Sequence, residues 1–300
     1  MPINIIEQHP FLNYLETENV KRISDYNGMI IGSFPIYSIT DSIDNNFDIV
    51  AQRFNQINAT MRFFYGSRKS SLWKYIAGAL NEVDPTAILQ NEQLNQYPNN
   101  AKERTIKLLQ KHKLIITDSL YRTNRVETKS EDVNLWITEN VPNNLVENFS
   151  LNFGILNLLN NNKSIQNLYF TATTLVGKSP FGWFNQIFGN NLLIENENII
   201  DGKLWSFTVE IDKRTFNVFM LPTPKPRGIH FTDNRKSQMF VNYLENIYPE
   251  FYAEIENIPM LQRTPVQKAF LLNSRNSFLI ECYRQALVLN NLNFNGNPNI

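Results

Sequence analysis

The chain has 300 residues, 42% of them hydrophobic and 12% aromatic, enough apolar material for a buried core, which excludes a chain disordered throughout. Its 28 Lys and Arg balance 28 Asp and Glu, so a polybasic binder is excluded and any nucleic acid must be met by local basic patches. One cysteine, Cys282, and three histidines exclude an internal disulfide, a four-thiolate zinc site and an iron–sulfur cluster, and leave little for a metal site.

The N-terminal segment MPINIIEQHPFLNYLETENVKR breaks its apolar residues with polar and acidic ones, unlike a signal peptide. No run of the sequence is long enough to span a bilayer, so a soluble cytoplasmic protein is expected. Short β-branched and aromatic runs then alternate with segments of helical period, the pattern of an α/β fold with a parallel sheet and crossover helices. A first strand is predicted over Met29 to Phe34, then helices from Leu72 (LWKYIAGAL) and Ala101 (AKERTIKLLQKH). A second strand follows over Lys113 to Leu120, a helix from Asn144 (NLVENFSLNFGILNLL) and a third strand over Leu168 to Thr173. Lys203 to Ile211 is an added strand expected to pair with the fourth, Phe216 to Leu221. Helices close the chain: Asn234 to Ile247, and a long one with Thr264 as N-cap and Pro265 as first helical residue, reaching about Leu289. The organisation expected is one main domain with a C-terminal helical extension, either an appended subdomain or another layer on the same core.

Ligands of open parallel sheets sit beyond the carboxyl ends of the strands, so the segments to search begin at Gly32, Asp118, Thr173 and Pro222. No GxGxxG follows the first strand and no GxxxxGK[ST] occurs, which leaves dinucleotide binding and P-loop chemistry without support. The stretch MRFFYGSRKSSLWKYI sets Arg68, Lys69, Ser70 and Ser71 at a helix start, a mixture that fits either a phosphate or a solvated, well-capped helix end. The second strand ends in DSLYRTNRVETKSED, with Asp118, Arg122, Arg125 and Asp132 at or beyond its end. The fourth ends in LPTPKPRGIHF, where prolines stiffen a loop bearing Lys225, Arg227 and His230, suited to gripping a DNA backbone.

In this order HPF from His9, GSFP from Gly32, FFYGSRKSSLWK from Phe63, TDSLYRTNR from Thr117 with Asp132 downstream, and LPTP from Leu221 resemble the uracil-DNA glycosylase superfamily, in particular its mismatch-specific and hypoxanthine-DNA glycosylase branch. The resemblance implies a three-layer α/β/α sandwich around a four-stranded parallel sheet over residues 1–250, followed by the helical extension over 251–300. It also implies DNA as partner, no metal or cofactor, and hydrolysis of the bond between a flipped base and its sugar to leave an abasic site. That chemistry needs a carboxylate or a held water at the sugar and hydrogen-bond donors at the departing base.

On this resemblance Asp118 matches the family aspartate after the second strand, with Asp44 and Asp41 as the other candidate carboxylates. Ser33, Phe34, Tyr65, Ser67 and Ser70 are expected around the base, and Arg68, Lys69, Arg122, Arg125, Thr223, Lys225, Arg227 and His230 along the DNA. Phe34 stands where many members carry the Asp or Asn that positions water, and Ser70 where the hypoxanthine branch has Asn. Three expectations follow. An aspartate takes over in a repair enzyme for uracil, hypoxanthine or mismatched thymine; or a pocket widened by small hydroxylated residues admits a hypermodified base, such as glucosylated hydroxymethylcytosine in phage DNA, for anti-phage defence; or the protein binds DNA without catalysis.

Overall fold

Where strands are buried on both faces they need apolar runs without alternation. Gly28–Gly32 (GMIIG), Leu114–Asp118 (LIITD) and Asn167–Phe170 (NLYF) are buried at every residue. The computed structural model describes residues 5–12, 25–35, 39–42, 61, 63–66, 70–87, 100–125, 135, 150–224 and 235–289. In chain order its strands are β1 (Ile5–Gln8), β2 (Gly28–Gly32), β3 (Asp41–Ser42), β4 (Leu114–Asp118), β5 (Leu120–Arg125), β6 (Ser150–Leu151), β7 (Asn167–Phe170), β8 (Glu195–Ile200), β9 (Leu204–Ile211) and β10 (Arg214–Met220). The helices are α1 (Leu72–Ala79), α2 (Ala101–Lys111), α3 (Gly154–Asn161), α4 (Pro180–Ile187), α5 (Arg235–Ile247), α6 (Pro249–Ile255) and α7 (Pro265–Arg284).

The fold is mixed α/β with a mostly parallel six-stranded sheet in the order β4-β2-β7-β10-β9-β8. The first four of these strands run parallel and are the four read from the sequence. Beside these four, β9 pairs antiparallel with β10 as the added strand read from the sequence, and β8, which was not expected, widens the sheet by pairing antiparallel with β9. Asp212 and Lys213, at φ of 51° and 64°, make the two-residue turn between β9 and β10, the geometry whose twist suits a hairpin. A second sheet, β3-β1-β5-β6, was not expected at all. It forms because the chain passes from β4 through the single residue Ser119 into β5, which leaves the first sheet and pairs antiparallel with β1. The helix expected from Asn144 is confined to α3, preceded by β6, and residues 144–149 fall outside those described.

Ser179 caps α4 by accepting from the Gly182 N–H at 3.0 Å, and Pro180 opens the helix. Phe181 and Phe184 of this helix meet Phe170 of β7 edge-on, and Phe181 also meets Phe207 of β9. Thr264 and Gln267 form a reciprocal capping box at the start of α7. Past that start α7 buries Leu271, Phe278, Leu279, Cys282 and Tyr283 in the same core that holds β2, β4 and β7. Its Tyr283 hydroxyl donates to the carbonyl of Pro222 at 3.1 Å, just beyond β10, and Asn276 accepts from Tyr75 of α1 at 2.8 Å. The C-terminal helix is thus packed as a layer on the main core. Among the described residues no helix is long and apolar enough to cross a membrane.

Candidate active site

Gly32 and Asp118 are register partners at the carboxyl ends of β2 and β4. The chain leaving β4 is tied back at once, since Ser119 N–H donates to Gly32 O at 2.8 Å and Leu120 N–H to Ser33 O at 3.0 Å. Asn152 holds Asp118 from the other side, its Nδ2 donating to the carbonyl of Asp118 at 2.8 Å and to Thr117 Oγ1 at 3.0 Å. The backbone under the carboxylate is therefore fixed in two directions.

The second sheet supplies its partner. β1 ends at Gln8, and the next residue, His9, is buried with its Nε2 2.9 Å from Asp118 Oδ2. His9 Nδ1 accepts the backbone N–H of Phe11 at 3.1 Å. A ring nitrogen that accepts carries no proton, so the ring proton sits on Nε2 and is donated to the carboxylate. Phe11, Phe34 and Phe64 surround the imidazole with ring centroids 5.8, 5.8 and 5.1 Å away. One oxygen of Asp118 is thus occupied. The other, Oδ1, is buried and has no hydrogen-bond partner among the described residues.

Oδ1 points over Gly32. A Cβ built on that glycine would lie 2.1 Å from Asp118 Oδ1 and 2.5 Å from the Tyr65 hydroxyl, so only glycine lets the two polar groups converge there. Tyr65 is placed by a turn in which Gly66 N–H donates to Phe63 O at 3.0 Å and Met61 N–H to Gly66 O at 2.8 Å. Tyr65 itself has φ +51°, a left-handed conformation unusual for a bulky residue and characteristic of sites where geometry is over-determined. Its hydroxyl bonds Thr171 Oγ1, just beyond β7. Trp73 Nε1 donates to Phe64 O at 2.9 Å and pins the turn to α1. The ends of three parallel strands and two loops thus deliver a carboxylate with a free oxygen and a phenol to one point. Such a pair can accept a proton from water on one side and hold or donate a hydrogen bond on the other.

Other expected site residues are placed differently. Arg125 is wholly buried: its Nε donates to Glu7 Oε2 at 2.6 Å and its Nη2 to the carbonyl of Pro35 at 2.7 Å, while Thr40 Oγ1 donates to Glu7 Oε1 at 2.7 Å. It fastens β5 to β1 and to the turn after β2, which corrects its expected place along the DNA. Phe34 packs in a small apolar cluster with Leu120, Leu135 and Trp183, its ring edge-on to His9 and 6.0 Å from the Arg125 guanidinium carbon. Ser33 is buried in the tight turn below it, and Ser70 Oγ accepts the Leu72 N–H at 3.3 Å, serving the start of α1. Arg122 is half-buried on β5 beside Tyr121, Thr223 is half-buried after β10, and the backbone of Asp41 pairs with Gln8 in β3. Asp44, Ser67, Arg68, Lys69, Asp132, Lys225, Arg227 and His230 lie outside the described residues. His9 and Thr171 were not among the expected site residues. The signal for His9 was its place in the HPF motif, but its meeting with Asp118 depends on the second sheet.

Among the described residues no three of His, Cys, Asp and Glu cluster as metal ligands. No protein family, curated protein or solved structure matches the chain.

Proposed function

We propose that the chain is a monofunctional DNA glycosylase whose general base is Asp118. The observation that carries this reading is the half-occupied carboxylate at the carboxyl end of the parallel strands, with Oδ2 held by His9 and Oδ1 free over Gly32. In the proposed reaction the bond between C1′ of the sugar and the base nitrogen breaks, and its electron pair leaves with the base. A water held at Asp118 Oδ1 attacks C1′ and gives its proton to that carboxylate, leaving a hydroxyl on an abasic sugar. The Tyr65 hydroxyl is the donor proposed for the departing base. The order of the HPF, GSFP, FFYGSRKSSLWK, TDSLYRTNR and LPTP motifs supports the same chemistry, as do four parallel strands read as the sheet of a three-layer sandwich.

The proposed substrate is a bulky modified base, such as hydroxymethylated or glucosylated cytosine in phage DNA entering the cytoplasm, because the sequence between Tyr65 and α1 holds the small residues Gly66, Ser67, Ser70 and Ser71, with Ser70 at the position that is Asn in the hypoxanthine branch it resembles. The test incubates the purified chain with DNAs carrying uracil, hypoxanthine, a G·T mismatch or these modified cytosines, and reads alkali-induced strand breaks. Breaks confined to the modified DNA, falling about a hundredfold or more in Asp118→Asn, are the expected result. Breaks at uracil or hypoxanthine make it a repair enzyme instead. No breaks, with salt-dependent DNA binding retained, overturn the enzymatic reading in favour of a binding module.

A further inference from the structure

The turn between α6 and α7 encloses a cavity that shares no residue with the strand-end site. It holds about 240 Å³ between the apolar side chains of Met260, Leu271 and Leu272 and the cationic ones of Arg263, Lys268 and Arg275. A neighbouring lobe of about 350 Å³ extends it toward Glu256.

Arg275 is 6% exposed, and among the described residues no hydrogen bond or ion pair reaches its guanidinium. What it has is the face of Phe240, 5.8 Å from the guanidinium carbon. Arg263, 7% exposed, stands in the same cavity and donates its Nη2 to the carbonyl of Ile255 at 3.3 Å. Burial holds both guanidiniums below the usual arginine value, and for Arg275 the charge of Arg263 adds to the effect. Lys268 at the mouth and Glu256 are both exposed. A buried cation without a counter-charge is among the costliest features a fold can keep. The Arg275 fork presents the parallel donors that a phosphate accepts, and with Arg263 and Lys268 beside it the positive charge suits a dianion better than a lone carboxylate.

We propose that this cavity binds a small phosphate-bearing ligand, with its phosphate between Arg263 and Arg275, Lys268 closing over it, and its apolar part against Met260, Leu271 and Leu272. The two lobes, about 240 and 350 Å³, lie near the lower end of ordinary small-molecule sites, so the ligand is a small phosphate ester. This assignment does not depend on the glycosylase reading.

The test follows thermal unfolding of the full chain while inorganic phosphate, a mononucleotide or a short DNA duplex is added, in the wild type and in Arg275→Met. Phosphate raises the wild-type Tm by about 4 °C at a hundredfold excess over Kd, and leaves that of Arg275→Met unchanged. Without phosphate, Arg275→Met melts at or above the wild-type temperature, since an unpaired buried charge has been replaced by an apolar side chain of similar length. Should that variant not fold, Lys268→Gln at its exposed position is expected to weaken phosphate binding about twofold to fivefold. A Tm that rises equally in wild type and variants is a general salt effect and overturns the proposal, as does no response to any of the three additions. A variant-sensitive response to the mononucleotide but not the duplex assigns a free phosphate ester. One to the duplex assigns a phosphate of the DNA backbone.

Discussion

If Asp118 is the base of the proposed reaction, Gly32 and His9 beside it each make a separable prediction. Replacing Gly32 by Ala forces a methyl carbon into the space where Asp118 Oδ1 and the Tyr65 hydroxyl now converge. The side chains must swing apart, at a cost of about 1–3 kcal/mol in stability, but the larger effect falls on the reaction, because the free oxygen is displaced from where it would hold water. Gly32→Ala should therefore keep its circular dichroism spectrum while excision drops at least about tenfold. His9→Gln tests a positioning role instead. The amide can still donate to Oδ2, but cannot reproduce the ring's fixed orientation between Phe11 N–H and the carboxylate. Because His9 is buried behind Asp118, the variant should lower kcat about tenfold to a hundredfold with KM for DNA unchanged. A KM effect without a kcat effect would place His9 against the substrate and refute the positioning role. The place of Asp118 was legible in the sequence from its position at the carboxyl end of a predicted strand and from its match to the aspartate of the family it resembles. Its partner was not, since nothing in the spacing of His9 and Asp118, 109 residues apart, says that they meet.

The parallel strands were legible for the reason they are stable: each is an unbroken apolar run with no solvent face. The strands that escaped have the opposite character. β8 reads ENENII and is exposed along almost its whole length as the sheet's outer edge. β5 reads LYRTNR and yet has Arg125 wholly buried, which is possible only because Glu7 on β1 carries the compensating charge. A polar strand inside a core is invisible to hydrophobic periodicity until its ion-pair partner is known. Helix starts were more readable, because capping is local chemistry. Thr264 followed by Pro265 marks the start of α7, and the structure adds that Gln267 both donates its N–H to Thr264 Oγ1 at 3.2 Å and accepts the Thr264 N–H at 2.8 Å. Thr264→Ala should cost about 1 kcal/mol, seen as a fall of about 2 °C in Tm. An unchanged Tm would mean that α7 is held by its packing alone and that the cap contributes nothing.

Whether the C-terminal helix is an appendage or a wall of the core is a question about the whole molecule, and the buried phenols answer it in a measurable way. Tyr75 of α1 and Tyr243 of α5 are pushed by burial up to about 12, as is Tyr26 just before β2, and Tyr283 of α7 is driven well above the usual value of 10.0. The rings of Tyr75 and Tyr283 lie 5.9 Å apart, so the same desolvated interior is reached from both ends of the chain. Each of these groups prefers its protonated form in the folded state. In the unfolded chain they lose their protons near pH 10, so their contribution is complete below pH 10 and is lost as pH rises from there through about 12. If α7 belongs to the core, the sheet, α1 and α7 give way together. The share of tyrosinate absorbance that belongs to these four buried phenols, taken as the difference from their Phe variants, should then appear in the same step as the loss of far-ultraviolet circular dichroism above pH 10. A Tyr283 share that appears while the circular dichroism of the remaining fold holds would mean that the helix detaches first. Tyr283→Phe sharpens the test. At neutral pH it should cost about 1 kcal/mol, because the carbonyl of Pro222 loses its donor. That deficit should shrink above pH 10, where the wild type begins to lose a proton-linked contribution that phenylalanine never had.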